Sequence, residues 1–253
     1  MYTKKDLATA TEEDYRAMIR QIKACSYRPA RYGELLSDRQ VIIRHDVDIS
    51  MHRALSLAKI EASEGVFATY FVDTRSTFYS FSERTIESII LEIQRMGHDI
   101  GLYFQLPRFD DAHWGKDEFE AVLKRERRLL EQIAGSNIPA VAWCDMKSSK
   151  LQDFRMPMLS GMMNACSHFY CAKFALASDN DGPGRDYSMC EVIAAGHNRL
   201  QVLTHPERWT PDHMVPADQI SRAINGRRAS MIRAYPQLDV GGQDALNISI
   251  FGQ

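Results

Sequence analysis

The chain has 253 residues, 45% of them hydrophobic and 25% charged, ordinary values for a globular protein whose core needs no disulfide or metal staple. Lys and Arg total 31 against 33 Asp and Glu, a formal net charge of −2, which argues against a general electrostatic grip on nucleic acid or an anionic membrane. No apolar run reaches the roughly 18 residues of a membrane span, and Met1-Tyr2-Thr3-Lys4-Lys5-Asp6 lacks the apolar stretch of a secretory signal, so the expected location is cytoplasmic.

In chain order, Thr11-Glu12-Glu13-Asp14 opens a helix with a carboxylate at the capping-box position, and the helix runs to about Cys25. Val41-Ile42-Ile43 is a short β-branched strand leading into Arg44-His45-Asp46-Val47-Asp48. Met51, Ala54, Leu55, Ala58 and Ala62 share one face of the next helix, which Gly65 ends. Ala68–Val72 is a second strand. Ser82 caps a third helix with an apolar stripe of Ile86, Ile89, Ile90 and Ile93, closed by Gly97. Ile100–Phe104 is the third strand. Phe119, Val122, Leu123, Leu130 and Ile133 then form an amphipathic helix stopped by Gly135, and Ala140–Trp143 is the fourth strand. Phe174-Ala175-Leu176 and Leu200–Leu203 read as late strands, and Asp179–Gly184 as a loop.

Strand and helix alternate in steps of about 30 residues, the rhythm of βαβ units and a parallel sheet. No repeat, linker or low-complexity tract interrupts the chain. It reads as a single α/β domain over residues 1–253 with an N-terminal helical extension over 1–38, and the length suits a barrel better than an open sheet. The five cysteines, Cys25, Cys144, Cys166, Cys171 and Cys190, form no CxxC pair. They are expected to be reduced and mostly buried thiols.

Chemistry in parallel α/β folds gathers at the C-terminal ends of the strands. Asp46 and Asp48 follow the first strand. Tyr103, Phe104 and Gln105 end the third, and Cys144, Asp145 and Lys147 the fourth. Ser178, Asp179 and Asn180 follow a late strand, and Thr204-His205-Pro206-Glu207-Arg208-Trp209 the last. Asp46, Asp48, Asp145, Ser178 and His205 are therefore expected to converge on one cleft. Two carboxylates one residue apart either bind a cation or push one pKa upward, and both outcomes suit catalysis. The plainer alternative has Asp48 capping a helix and Asp46 paired with Arg44. His205 suits a general acid near neutral pH, or else a structural histidine bonded to a loop carbonyl. His98, at the start of its strand, reads as structural. Trp143 and Trp209 are sugar-stacking platforms or core. Arg222, Arg227, Arg228 and Arg233 form a solvated helical face or a basic patch for an anionic substrate.

Four segments carry a family resemblance. Residues 42–72, IIRHDVDISMHRALSLAKIEASEGVFATYFV, resemble the first motif block of the polysaccharide deacetylase (NodB-homology, carbohydrate esterase type) superfamily, in the branch opening with RHDVD. GHDIGLYF at 97–104 resembles the second block, ASDNDG at 177–182 a late SDS element, and LTHPERW at 203–209 the closing LTHPEWW. The blocks fall in family order between about residues 40 and 210. The resemblance implies a deformed (β/α) barrel and metal-dependent hydrolysis of an N-acetyl group, mostly on amino sugars. It makes Asp46 the general base, Asp48 the aspartate ligand of a zinc-like divalent metal, and His205 the general acid. Tyr103, Asp145, Lys147, Ser178, Asp179 and Trp209, on the same rim, are candidate contacts for a carbohydrate or other small-molecule substrate.

The chain departs from the family at two metal positions. Tyr103 stands where the second block has a histidine, and Met146, in Cys144-Asp145-Met146-Lys147-Ser148-Ser149, stands where the third has another. A phenol with a pKa near ~10 is a poor neutral zinc ligand, and a thioether is too soft for a hard hydrolytic metal. Three readings follow: a hydrolase of the de-N-acetylase type, acting on an acylated amino sugar or other small amide; metal-independent acid–base chemistry by Asp46 and His205; or a non-catalytic relative that binds a carbohydrate or a partner protein.

Overall fold

The computed structural model describes residues 10–36, 39–105, 116–143, 154–180 and 188–234. Helix α1 (Glu12–Ala24) starts at a complete capping box. Thr11 Oγ1 accepts from the Asp14 N–H at 3.2 Å, and Asp14 Oδ2 accepts from the Thr11 N–H at 2.8 Å. A short strand β1 (Arg28–Pro29), not legible in the pattern, pairs in parallel with β2 (Gln40–Val47). The segment read as a helical extension thus also supplies part of the sheet.

The β2 strand is longer than its β-branched core suggests, and all eight of its residues are buried. Both faces of a central parallel strand are covered, so polar residues can prolong it once they find partners. Helix α2 (Met51–Glu64), strand β3 (Thr69–Asp73), helix α3 (Arg84–Arg95), strand β4 (Asp99–Phe104), helix α4 (Lys116–Ala134) and strand β5 (Ala140–Trp143) follow. The βαβ rhythm is therefore present as expected. A hairpin of β6 (Met158–Leu159) and β7 (Met162–Asn164) adds the sheet's antiparallel pair. Helix α5 (His168–Lys173), strand β8 (Ala175–Ser178), helix α6 (Met189–Ala194), strand β9 (Arg199–Thr204) and helix α7 (Pro216–Ala234) complete the described chain. The strand order is β6-β7-β5-β4-β3-β2-β9-β8, with β1 on the side of β2. The sheet is curled and flanked by helices, the architecture of a deformed (β/α) barrel. Among the described residues no helix is long and apolar enough to cross a membrane.

Three helix details differ from expectation. Glu83, not Ser82, is the N-cap of α3, with no side-chain cap bond. Ser50, not Asp48, caps α2, accepting from the Arg53 N–H at 3.3 Å. The inner face of α2 is Met51, Ala54, Leu57, Ala58, Ile60 and Glu61, while Leu55 is half-buried and Ala62 exposed. Gly65 ends α2 in the left-handed region at φ 71°, as a helix-closing glycine should. Of the described cysteines only Cys166 is buried; Cys171 is exposed, and all four are free thiols. Cys144 lies outside the described residues.

Strand periodicity divides β2 chemically. Arg44 and Asp46 point to one face, toward Phe71, whose ring centroid lies 5.3 Å from the Arg44 guanidinium carbon. That interior is filled rather than hollow: Tyr32 packs edge-on against Phe71 and Tyr170 at 5.6 and 5.0 Å. Gly101 on β4 makes room for Phe71, since a Cβ there would sit 2.5 Å from its ring. His45 points to the opposite face, toward the helices. There its Nε2–H donates to Glu61 Oε1 at 2.8 Å, and its ring stacks on Tyr70 at 4.3 Å.

Glu61 is fully buried on α2 and also accepts from the hydroxyls of Tyr15 at 2.5 Å and Tyr70 at 2.6 Å. Burial pushes the Glu61 pKa up, but His45, His98 and the Tyr15 hydroxyl outweigh it and hold the carboxyl below its ordinary value. His98 is structural, as its place at the start of β4 suggested. Its Nδ1 accepts from the Ala68 N–H and its Nε2–H donates to the Ala58 carbonyl, both at 3.1 Å. Replacing Glu61 with Gln puts an amide NH2, itself a donor, against groups that need an acceptor. Glu61→Gln should lower unfolding stability by about 3–5 kcal/mol, read from the urea midpoint at constant m-value.

Candidate active site at the strand ends

Strands β2, β9 and β8 are neighbours, so their C-terminal ends bring Asp46, Asp48, Ser178, Asp179 and His205 to one rim. Asp46 lies within β2 rather than after it. Both its oxygens accept from Arg44, Nε at 2.7 Å and Nη2 at 2.8 Å, and the pair is buried. The salt-bridge alternative read from the sequence is therefore the geometry present. Residues i and i+2 of one strand share a face, so the pair forms within β2 itself.

Asp48 sits one residue beyond β2 and is half-buried. Its backbone carbonyl accepts from Ser76 Oγ at 2.6 Å, which fixes the turn. Its Oδ1 is buried and has no hydrogen-bond partner among the described residues. Burial raises the Asp48 pKa; His205 opposes this, and the nearby Asp46 charge adds to it.

His205 follows β9 and is clamped by Asp179, which follows β8. Asp179 Oδ1 accepts from His205 Nδ1–H, and its Oδ2 from the His205 backbone N–H, both at 2.7 Å. Trp209 Nε1–H donates to the same Oδ2 at 3.1 Å. Arg208 steadies the loop by donating to the Asp179 carbonyl at 2.5 Å and Asn180 Oδ1 at 2.6 Å. Burial alone would lower the pKa of His205, but the Asp179 carboxylate, through charge and hydrogen bond, pushes it up to about 9. The ring is thus an imidazolium at neutral pH. Its Nε2–H has Asn180 Nδ2 at 3.4 Å, itself a donor that cannot accept from it, which leaves that N–H open to another acceptor.

Glu207 is the residue that sequence reasoning passed over. It lies in a single 3₁₀ turn, Pro206–Arg208, two residues after His205 and 7% exposed. Its Oε2 is buried without a partner among the described residues. Burial, then repulsion from Asp48, pushes its pKa up to about 8. The only signal in the sequence was its place in the HPERW motif, where nothing distinguished it from a solvated turn residue.

Several expected substrate contacts turn out to have other partners. Trp209 is 2% exposed and packs edge-on against Tyr15 at 5.1 Å, so it is core and a prop for Asp179, not a stacking platform. The Asp179 carboxylate is fully used by His205 and Trp209, which makes it a positioning group. Ser178 Oγ accepts from the Asn180 N–H at 3.1 Å and shapes the loop. Tyr103 is 2% exposed within β4. Asp145, Met146 and Lys147 lie outside the described residues.

A divalent metal held by one Asp and two His was implied by the resemblance. Among the described residues no group of three or more His, Cys, Asp or Glu side chains is placed to hold a metal ion. Asp48 offers one oxygen and His205 only its Nε2, two donors where the resemblance implies three. These donors do not fit a zinc-like ion.

No family model matches the chain, and no curated protein does. Among solved structures it is similar to the catalytic domain of a peptidoglycan N-acetylglucosamine deacetylase from Eubacterium rectale: 13% identity, 78% of this chain and 87% of that one, TM-score 0.46. It is also similar to a family 4 carbohydrate esterase from Bacillus anthracis, with 13% identity, 84% of this chain and 85% of that one, TM-score 0.44. A third is a mutant of a Bacillus anthracis CE4 family pseudoenzyme with restored enzymatic activity, at 12% identity over 81% of this chain and 67% of that one, TM-score 0.45.

The two raised pKa values act on stability in the same direction. A folded pKa above the unfolded one means the native state holds the extra proton, so stability is lost as pH climbs through the folded value. For Glu207 that window runs from the ordinary 4.5 to about 8, and for His205 from 6.5 to about 9. Stability should therefore fall steadily between pH 6.5 and 9. In Asp179→Asn the His205 pKa should drop to 6.5 or below, followed by its ring proton shifts in NMR.

Proposed function

We propose that the protein is an amide hydrolase of the de-N-acylase type, acting on an acylated amino sugar or similar small amide. The observation that carries this is the Asp179–His205 clamp, which presents a protonated, half-free imidazolium beside an unpartnered carboxylate. The order of the four motif blocks supports the same reaction class. His205 Nε2–H is the general acid. Asp48, whose Oδ1 is free and whose pKa is raised, is better suited than Asp46 to take a proton from water, because both Asp46 oxygens are held by Arg44.

In this reading water loses a proton to Asp48 as its oxygen adds to the acyl carbon. The C–N bond then breaks, and the amine leaves with the proton from His205 Nε2. Products are a carboxylic acid and a free amine. Asp179 keeps the ring oriented and favours its charged state before transfer. Arg44 and Asp46 form a fixed ion pair that takes no part in the proton transfers. The competing reading is a non-catalytic carbohydrate-binding relative. It is favoured by Tyr103 in place of histidine and by the engagement of Asp46.

Amine release from a panel of N-acylated amino sugars separates the two. His205→Gln and Asp48→Asn should each lower kcat by about 10²–10⁴ with substrate affinity nearly kept. Asp46→Asn should cost more in stability than in chemistry. Equal loss in Asp46→Asn and none in Asp48→Asn would return the base to Asp46. No amine from any member of the panel would establish the binding reading.

A further inference from the structure

A cleft of about 740 Å³, lined by Ile49 and Glu207 from the segments that carry Asp48 and His205, opens between α7 and the N-terminal ends of α2 and α3. Its lining is lopsided in charge. Arg53, Arg222, Arg227 and Arg233 face it, against two carboxylates, Glu83 and Glu207. Arg227 pairs with Glu83, and Arg53 with Glu12 from outside the cleft. Arg222 and Arg233 are exposed and make no ion pair among the described residues. Of the arginines singled out in the sequence, Arg228 alone lies off this lining.

Two buried polar atoms on the same lining lack partners. Glu207 Oε2 is one, on a side chain 7% exposed; the Nε–H of Arg53 is the other. An unsatisfied buried polar group is costly, and both of these belong to residues that line one cleft, which points to a ligand there. The α2 helix adds to this. Ser50 caps it, and its first turn, which borders the cleft, holds no acidic residue, so the helix's positive end favours an anion there.

We propose that the cleft receives an amino sugar bearing an anionic group, phosphate or carboxylate, held by Arg222, Arg233 and the Arg53 Nε–H at the head of α2, with a sugar hydroxyl on Glu207. That this sugar is a substrate rests on the amide-hydrolase reading, whereas its binding needs no turnover. The cleft volume suits one sugar and its substituents. Glu207 lies two residues after His205, and Ile49, also on the lining, directly follows Asp48, so a sugar held there lies next to the segments that carry both.

Titration calorimetry on the whole chain tests it, with N-acetylglucosamine, its 6-phosphate, N-acetylmuramic acid and inorganic phosphate as probes. At least one of the two anionic sugars should bind ten-fold or more tighter than the neutral one, and which of them does so tells phosphate from carboxylate. The preference should shrink as salt is raised. The double variant Arg222→Ala, Arg233→Ala should erase it and leave the neutral sugar unchanged. Both residues are exposed, and an unaltered melting curve checks that the variant is folded. Equal affinity for neutral and anionic sugars, a preference that survives the double variant, or inorganic phosphate binding as well as the sugars would each overturn the proposal. Anion preference without amine release defeats the hydrolase reading alone. Amine release from neutral and anionic sugars alike defeats the anion site alone.

Discussion

A single buried carboxylate organises the helical side of this protein. Glu61, with no solvent access, gathers donors from α1 (Tyr15), β2 (His45) and β3 (Tyr70). Each tie is a charge-assisted hydrogen bond in a low-dielectric setting, where such bonds are strong and their loss is costly. The network does not stop at the helix. The other nitrogen of His45 lies 2.7 Å from Thr204 Oγ1 on β9, one residue before His205. One ring therefore fixes the lateral positions of β2 and β9, and with them Asp46 and His205. The charge at Glu61 acts at the site through geometry, not proximity.

At the rim the chain concentrates carboxylates and then divides their duties. Asp46 is neutralised within its own strand by Arg44. Asp179 is spent on His205 and Trp209. Asp48 and Glu207 are both pushed upward by burial first, Asp48 further by the Asp46 charge and Glu207 by that of Asp48. A protonated Glu207 is uncharged, which relieves its repulsion with Asp48. His205, held by Asp179, contributes a positive charge beside them. This is an arrangement of separated acid and base character, set by which neighbours each group was given.

Much of this was legible in the sequence, and the exceptions share a cause. The apolar stripe of α3, the capping box of α1 and the Gly65 terminus are local patterns, and each appears where the residues put it. The rim residues were legible as a group because strand ends collect chemistry. Their individual roles were not. Whether Asp179 touches substrate or holds His205 depends on β8 lying beside β9, a pairing between segments about 25 residues apart that no local pattern encodes. Trp209 became core because α1 folds back onto it, and the prolongation of β2 through Arg44, His45 and Asp46 depended on partners from five other segments. Glu207 was invisible for the same reason: its burial comes from α7 and α2 closing over a turn that looks solvated in one dimension.

The position of Asp179 has a mechanical consequence. Strand β8 is only four residues long and, among the described residues, pairs on one side alone, with β9. Segments bonded along a single side open locally at less cost than those held on both. Each excursion that lifts β8 away removes the carboxylate from His205, and the imidazolium then gives up its proton to solvent near neutral pH. Re-closure must recapture that proton before the clamp is whole again. Fraying of the sheet edge and discharge of the acid are in this way a single event, and the time the site spends armed is set by how firmly a four-residue strand stays zipped to its neighbour.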